Sequence, residues 1–478
     1  MGERKRPPTN RRTKRAKRDS KDQFSCLPDC VLIHILSLVD VKDAVKTSIL
    51  SRRWRQLWMY IDSLVFGESP GTLYQDKFVG FVDRSLSLYR GNRLKKFQIS
   101  LSKNPISAST INNWIHNALA RGVEDLDLRF PCDSPYQLPD NQSAYQSLQA
   151  LKLYNCRLSP ASIKCFSSLK SLSLRSHYTL LADERIRDNN VFQSIISNCT
   201  VLEHLELIDD CILTCLDFST SNRLLKRLEI ESAYGSAPNS VEISAPNLTS
   251  LEFRGCLVSN GYLLNNLSSL VQCSLKFNRC RADQMFANSP AVALINILRK
   301  LQRVKVLVIS RWCIQALSVG EASRLHMPYL NIKYLKLEMG GTVPVEGTLL
   351  LLKNCSKLET LIIKTEGMMT PIHSDEMPDE REHLGSEELL PCMGHLKTVQ
   401  VFQVLGNSIT RGWKYGEDSK LDLIGVNEKS TSLMRTLLAK SVVLEKMVIS
   451  TRLSQTRCHA VRSGLGPSSQ AEYLPRAA

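Results

Sequence analysis

Through most of the chain the apolar positions recur in one short figure, L-x-x-L-x-L, whose second half alternates apolar and polar as a half-buried strand does. Its copies run "LKKFQIS" (Leu94), "VEDLDLRFPC" (Val123), "LQALKLYNC" (Leu148), "LKSLSLRSH" (Leu169), "LEHLELIDDC" (Leu202) and "LKRLEIES" (Leu225). They continue as "LTSLEFRGC" (Leu248), "LVQCSLKFNRC" (Leu270), "VKVLVISRWC" (Val304), "IKYLKLEMG" (Ile332), "LETLIIKTEG" (Leu358) and "LKTVQVFQV" (Leu396). Ahead of them the period is helical. In "LPDCVLIHILSLVDVKDAVKTSILSRRWRQLW", Val31, Leu32, Ile35 and Leu36 form a stripe, with Pro28 suited to a first helical position and Asp29 to a helix start. Asp40 reads as the N-cap of a second helix, with Asp43 in a capping-box-like place. A third helix spans the tryptophan segment, where Leu50, Trp54, Leu57 and Trp58 share one side and ask to be buried.

The fourth position of each copy is Phe97, Leu126, Leu151, Leu172, Leu205, Leu228, Leu251, Cys273, Leu307, Leu335, Leu361 and Val399. These anchors advance by roughly 27 residues on average, within the leucine-rich-repeat range. Each repeat then lays one short strand in a parallel sheet with its leucines inward, turns at an Asn or Cys, and returns through a helix or irregular segment. Cys132, Cys156, Cys211, Cys256 and Cys280 stand at or near that turn, which accounts for much of the cysteine count without redox chemistry. Thr365 to Pro391 interrupts the array as an acidic surface insert. A helix through Leu433, Leu437 and Leu438 and a strand Lys446–Ser450 follow.

The hydrophobic fraction of 43% and charged fraction of 23% are those of an ordinary globular protein. No apolar run is long enough to span a membrane, and no secretory h-region opens the chain. The fifteen cysteines lack zinc-site spacing and read as reduced, mostly buried thiols of a nuclear or cytoplasmic protein. The net charge of +16 is half explained by residues 1–21, which carry ten Lys/Arg against two Asp/Glu and too few apolar residues to fold. Two basic clusters, Arg4–Lys5–Arg6 and Arg11, Arg12, Lys14, Arg15, Lys17 and Arg18, resemble a nuclear-import signal. An importin-type receptor is the favoured partner of this tail, over non-specific contact with nucleic acid. No H-E-x-x-H, G-x-S-x-G or Walker-type loop is present, so no catalytic residue, metal ligand or cofactor is assigned.

The N-terminal block, with its T-S-x-L-S-R-R-W-R-x-L-W ending, resembles the F-box, and the whole resembles plant F-box/leucine-rich-repeat proteins. The last segments, "LKTVQVFQV" and "LLAKSVVLEKMVIS", resemble the FBD domain that closes many of them. The resemblance implies an α/β protein: a three-helix F-box at 22–66 after the tail at 1–21, then repeats at 67–364. The insert at 365–391 and an FBD-like region of final repeat units at 392–450 follow. Residues 451–478 depart from the family, which continues into an apolar segment ending in a Phe-Pro-Arg-like motif; an altered splice product or gene model is one explanation.

The resemblance further implies a non-catalytic substrate receptor of an SCF-type (Skp, cullin, F-box) ubiquitin ligase. The F-box would bind a Skp-type adaptor, and through it a cullin, while the repeats hold an unidentified protein target. By position Leu27, Pro28, Val31, Ile35, Leu36, Leu50, Ser51, Trp54, Leu57 and Trp58 match the adaptor-contacting pattern. Each has an alternative use as internal packing of the small unit, about evenly balanced for Trp54, and Arg52, Arg53 and Arg55 would form a solvated rim. The residues between the inward leucines face the concave surface, among them Asp127, Arg129, Lys152, Tyr154, Arg175, Glu206, Glu229, Glu231, Glu252 and Arg254. Their signs alternate, so no one electrostatic class of target is indicated. An F-box scaffold without a degradative role, or a nucleic-acid-associated repeat protein using the tail, is the alternative reading.

Overall fold

The computed structural model describes residues 23–68, 75–102, 106–131, 135–140, 144–175, 190–208, 215–218, 224–232, 241–257, 262–278, 290–318, 326–339, 344–365, 393–405, 433 and 436–453. The basic tail, the insert beyond Thr365, the cysteines 132, 211 and 280, and the polar segment after Leu453 lie outside them.

Fourteen parallel strands form one sheet in chain order. They are β1 (Ser63–Gly67), β2 (Lys96–Ser100), β3 (Asp125–Arg129), β4 (Ala150–Tyr154), β5 (Ser171–Arg175), β6 (His204–Ile208) and β7 (Arg227–Ser232). Then come β8 (Ser250–Cys256), β9 (Gln272–Asn278), β10 (Val306–Ser310), β11 (Tyr334–Met339), β12 (Thr360–Thr365), β13 (Thr398–Leu405) and β14 (Lys446–Leu453). All twelve anchors stand in a single register row, extended by Leu64 before them and Met447 after. A second inward row two residues on, from Phe66 and Ile99 to Ile363 and Val401, is buried with it. The repetition of one register is what lets each leucine pack on its copies in the neighbouring strands rather than on a central core.

The array begins earlier and ends later than the repeat count suggests. β1 pairs with β2, so the last residues assigned to the N-terminal unit already belong to the sheet. Thr365, read as the start of the insert, still pairs with Gln403, and β14 runs three residues past Ser450 because β13 offers Gln403, Val404 and Leu405 as partners.

The entry edge of the sheet carries a backbone ladder that the motif does not display. Each residue two before an anchor donates its N–H to the carbonyl of its counterpart one repeat earlier, from Lys95 onto Asp62 at 2.8 Å to Glu445 onto Lys397 at 2.9 Å. Side chains on this rim pair as well: Lys95–Asp62 at 2.5 Å, Lys226–Glu203 at 2.8 Å and Lys333–Glu359 at 2.6 Å.

The exit turn explains the Asn/Cys signature. Asn155 and Gly255 occupy the same repeat position, four after the anchor, and both have positive φ, +54° and +79°. Asn155 is buried and its Nδ2 donates to the Phe130 carbonyl at 2.9 Å. At Gly255 a Cβ would stand 2.1 Å from the Ser232 carbonyl oxygen, so only glycine fits. Cys156 follows directly and is buried; Cys256 follows likewise but is disulfide-bonded, an exception to the expectation of reduced thiols. Burial pushes the Cys199 and Cys355 thiols up to about 12 and Cys313 to about 11, which leaves them packing groups rather than nucleophiles.

Candidate functional site

The N-terminal unit is built from α1 (Asp29–Leu36), α2 (Val41–Lys46) and α3 (Trp54–Leu57), with single 3-10 turns at Thr47–Ile49 and Trp58–Tyr60. Pro28 sits one place earlier than expected, as the extended residue capping α1, and its carbonyl receives the Val31 and Leu32 N–H groups at 3.1 and 3.2 Å. Asp40 caps α2 as expected, accepting the Asp43 N–H at 2.7 Å. Asp43 does not close a capping box; its carboxylate pairs with Lys46 at 2.6 Å.

The tryptophan segment is not one helix. The chain turns through Ser51–Arg53, and this break separates side chains that a continuous helix would align. Leu50 is 64% exposed and the neighbouring Ile49 88%, whereas Leu57 and Trp58 are 6% and 5% exposed. Leu36, at 2%, is buried too. Leu36, Leu57 and Trp58 therefore fill the small core with Leu32, Val41, Ala44 and Ile61, and almost nothing of them is left to meet a partner. Leu27 and Trp54 lie half-buried against that core, and Ile35 is half-buried. Pro28, Val31 and Ser51 are exposed.

Arg53 joins the two exposed stretches. Its guanidinium holds Asp29 Oδ1 through Nε at 2.7 Å and Nη2 at 2.6 Å, and also donates to the Leu27 carbonyl. The Leu27–Asp29 entry of α1 is thereby pinned to the turn that carries Leu50 and Ser51. Arg53 is thus a fastener rather than part of a solvated rim, while Arg52 and Arg55 are exposed. Phe24, Leu38, Val39 and Ile49 are exposed apolar side chains of the same unit that sequence reasoning missed. For Ile49 a signal existed: it lies off the Leu50–Trp54–Leu57–Trp58 stripe, so the helical spacing did not claim it for the core.

The unit is fastened to the solenoid. Ser37 Oγ accepts the Asp62 N–H at 3.2 Å just before β1, and the Arg90 N–H reaches the Met59 carbonyl at 2.8 Å. Trp58, Ile61, Leu64 and Phe66 run from one core into the other without a break.

On the open face of the sheet the charges alternate along the chain, yet register sorts them. Arg129 and Asp127 form a bidentate pair at 2.9 and 2.8 Å on β3. Glu206, Glu229 and Glu252 stand side by side on β6, β7 and β8. Arg254 reaches Glu252 at 2.6 Å, Glu229 at 3.0 Å, Glu231 at 3.8 Å and Glu206 at 3.9 Å. Glu229 is held below the usual carboxylate range, chiefly by the His204 imidazole 3.3 Å away and then by Arg254, against the opposing effect of burial. Farther on, Lys276 pairs with Glu252 at 3.0 Å and Lys336 with Glu338 at 2.5 Å. The face is a set of charged zones, each several strands wide.

Comparison with known proteins agrees with this architecture. The F-box domain model matches residues 24–65, and the At1g61320/AtMIF1 LRR-domain model matches residues 86–406. The F-box/LRR-repeat protein At3g59210 of Arabidopsis thaliana is 30% identical over 453 residues, covering 90% of this chain and 88% of its own. A relative from the same plant whose name carries the FBD label, At3g59240, is 29% identical over 455 residues, or 91% of this chain and 85% of its own. The crystal structure of a TLR13-ssRNA13 complex aligns over 77% of this chain and 57% of that one, at 12% identity and a TM-score of 0.35, too distant a likeness to add to the reading. With its F-box, its in-register repeat sheet and relatives that match along nearly its whole length, the chain belongs to the F-box/LRR-repeat protein family.

Proposed function

We propose that this chain is the target-recognition subunit of an SCF-type ubiquitin ligase. The observation that carries the proposal is the exposed apolar surface on the N-terminal unit, where Pro28, Val31, Ile49 and Leu50 stand outside a core that is already filled. Interfaces are dominated by a few such anchors, and a soluble unit this small has no internal use for them. A Skp-type adaptor covers this surface and links the chain to a cullin. The open face of the solenoid holds the protein target, and ubiquitin transfer is done by other subunits, so the chain itself is not an enzyme. The final strands β13 and β14 correspond to the FBD-like region. The basic tail directs the protein to the nucleus through an importin-type receptor.

Mutation of the exposed anchors separates docking from folding. Ile49→Ser with Leu50→Ser, and independently Leu27→Ala with Pro28→Ala, is expected to abolish pull-down of a Skp-type adaptor. The melting temperature of the first pair should stay within about 2 °C of wild type, since exposed positions contribute little to stability. Undiminished adaptor binding by both double variants would refute the assignment.

A further inference from the structure

The open face of β3, β4 and β5 bears a cationic strip that adaptor docking leaves unused. Arg129, Tyr154 and Arg175 are register partners on these three neighbouring strands. The guanidinium carbons of Arg129 and Arg175 lie 4.7 and 5.1 Å from the centre of the Tyr154 ring, so the tyrosine is flanked by a cation from each side. Arg129 is fixed further by Asp127, whose side chain is buried beneath it. Lys152, on β4, stands beside Asp127 in the next row, and Lys96 stands opposite Asp125.

Among the described residues, four cations on β2 to β5, Lys96, Arg129, Lys152 and Arg175, stand against two carboxylates, Asp125 and Asp127. One of the carboxylates is bound within the sheet in the bidentate Asp127–Arg129 pair, and burial raises the pKa of the other, Asp125, against the lowering effect of Lys96 and Lys152. The strip ends where Ser173 Oγ donates to Glu206 at 2.7 Å, the first acid of the neighbouring zone.

The layout selects among anions. A phosphate concentrates its charge at one point and is best met by donors that converge on it. Here the cations are strung along a line: Arg129 and Arg175 are two strands apart, about 10 Å at the usual strand spacing. In an extended segment, side chains three residues apart are separated by about 9 Å. Nucleic-acid bases would need a bare aromatic platform, and Tyr154 already carries guanidinium groups over its ring. Stacking also preorganises the arginines, so fewer rotamers are lost when a carboxylate arrives.

We propose that this strip binds a short extended acidic segment of the target protein, its spaced carboxylates meeting Lys152 and the tyrosine-stacked guanidiniums of Arg129 and Arg175. The proposal rests on the reading of the solenoid as the target-holding part. It names what that part recognises there: carboxylate side chains about three residues apart.

The test uses the full chain co-expressed with a Skp-type adaptor and a fluorescein-labelled twelve-residue peptide with Glu at every third position and Ala elsewhere. Fluorescence anisotropy should show binding that weakens as salt is raised and is absent for the matched Gln peptide. Lys152→Gln with Arg175→Gln should weaken it about tenfold, the equivalent of one charge-assisted hydrogen bond. Lys226→Gln with Lys333→Gln, on the entry rim, should leave it unchanged. Should the strip double variant melt early, Lys152→Gln alone is expected to weaken binding at an unchanged melting temperature. Equal binding of the Gln peptide, or no effect of the strip variants, overturns the proposal. So does displacement by sodium tripolyphosphate or a twelve-nucleotide uridine RNA at lower concentration than by unlabelled Glu peptide. Co-purification of the adaptor reads out the ligase assignment separately. If the adaptor is retained and the Glu peptide does not bind, the strip proposal alone has failed.

Discussion

Asn155 shows how much one side chain decides in a repeat. Its backbone is left-handed, a conformation most residues avoid, and its buried amide satisfies the Phe130 carbonyl of the previous repeat. Asn155→Ala removes both the tolerance and the bond, and should cost about 2 kcal/mol, read as a lower urea midpoint. A shift below about 0.5 kcal/mol would show that the turn is held by its neighbours instead. An Asn or Cys in the exit turn was legible from the motif. The opposite fates of Leu50 and Trp58 were not, because helical spacing aligns them and only the turn at Ser51–Arg53 sends one outward and the other in.

At the scale of the strand, the entry rim and the open face are both made by register. Glu203 is held below its ordinary value of 4.5 by the hydrogen bond and charge of Lys226, and Glu229 by His204 and Arg254. A carboxyl with a depressed pKa binds fewer protons folded than unfolded. Its stabilising effect is therefore complete above about pH 4.5 and is lost as pH falls through the depressed value. The melting temperature should drop on acidification below that point. Glu229→Gln should lower it at neutral pH and make the acid decline shallower; an unchanged acid decline would remove Glu229 from the account. The alternation of charge was plain in the sequence. The row Glu206–Glu229–Glu252 was not, since its members are more than twenty positions apart and meet only once the strands pair.

For the whole molecule, the anchor row makes stability a nearest-neighbour property. Leu251 is fully buried between Leu228 and Cys273. Leu251→Ala should cost about 2–5 kcal/mol. In a repeat array that loss stays largely local. Hydrogen exchange should speed up in β7, β8 and β9 while the N-terminal unit keeps its protection; uniform loss of protection would show instead that the chain unfolds as a single unit.

The sequence by itself determined the repeat: which residues point inward, where every strand after β1 lies and where the chain must turn, because these follow from local periodicity and backbone preference. It also marked the N-terminal block as an F-box through the order of its apolar and cationic residues. Only the tertiary structure decided which of those apolar residues reach the surface. A break of three residues rotates the faces on either side of it, and Arg53 ties Leu27 and Asp29 to the turn between them through contacts some two dozen residues apart. The charged zones of the open face arise in the same way. Which charges become neighbours depends on strand register, and register exists only once the sheet has formed.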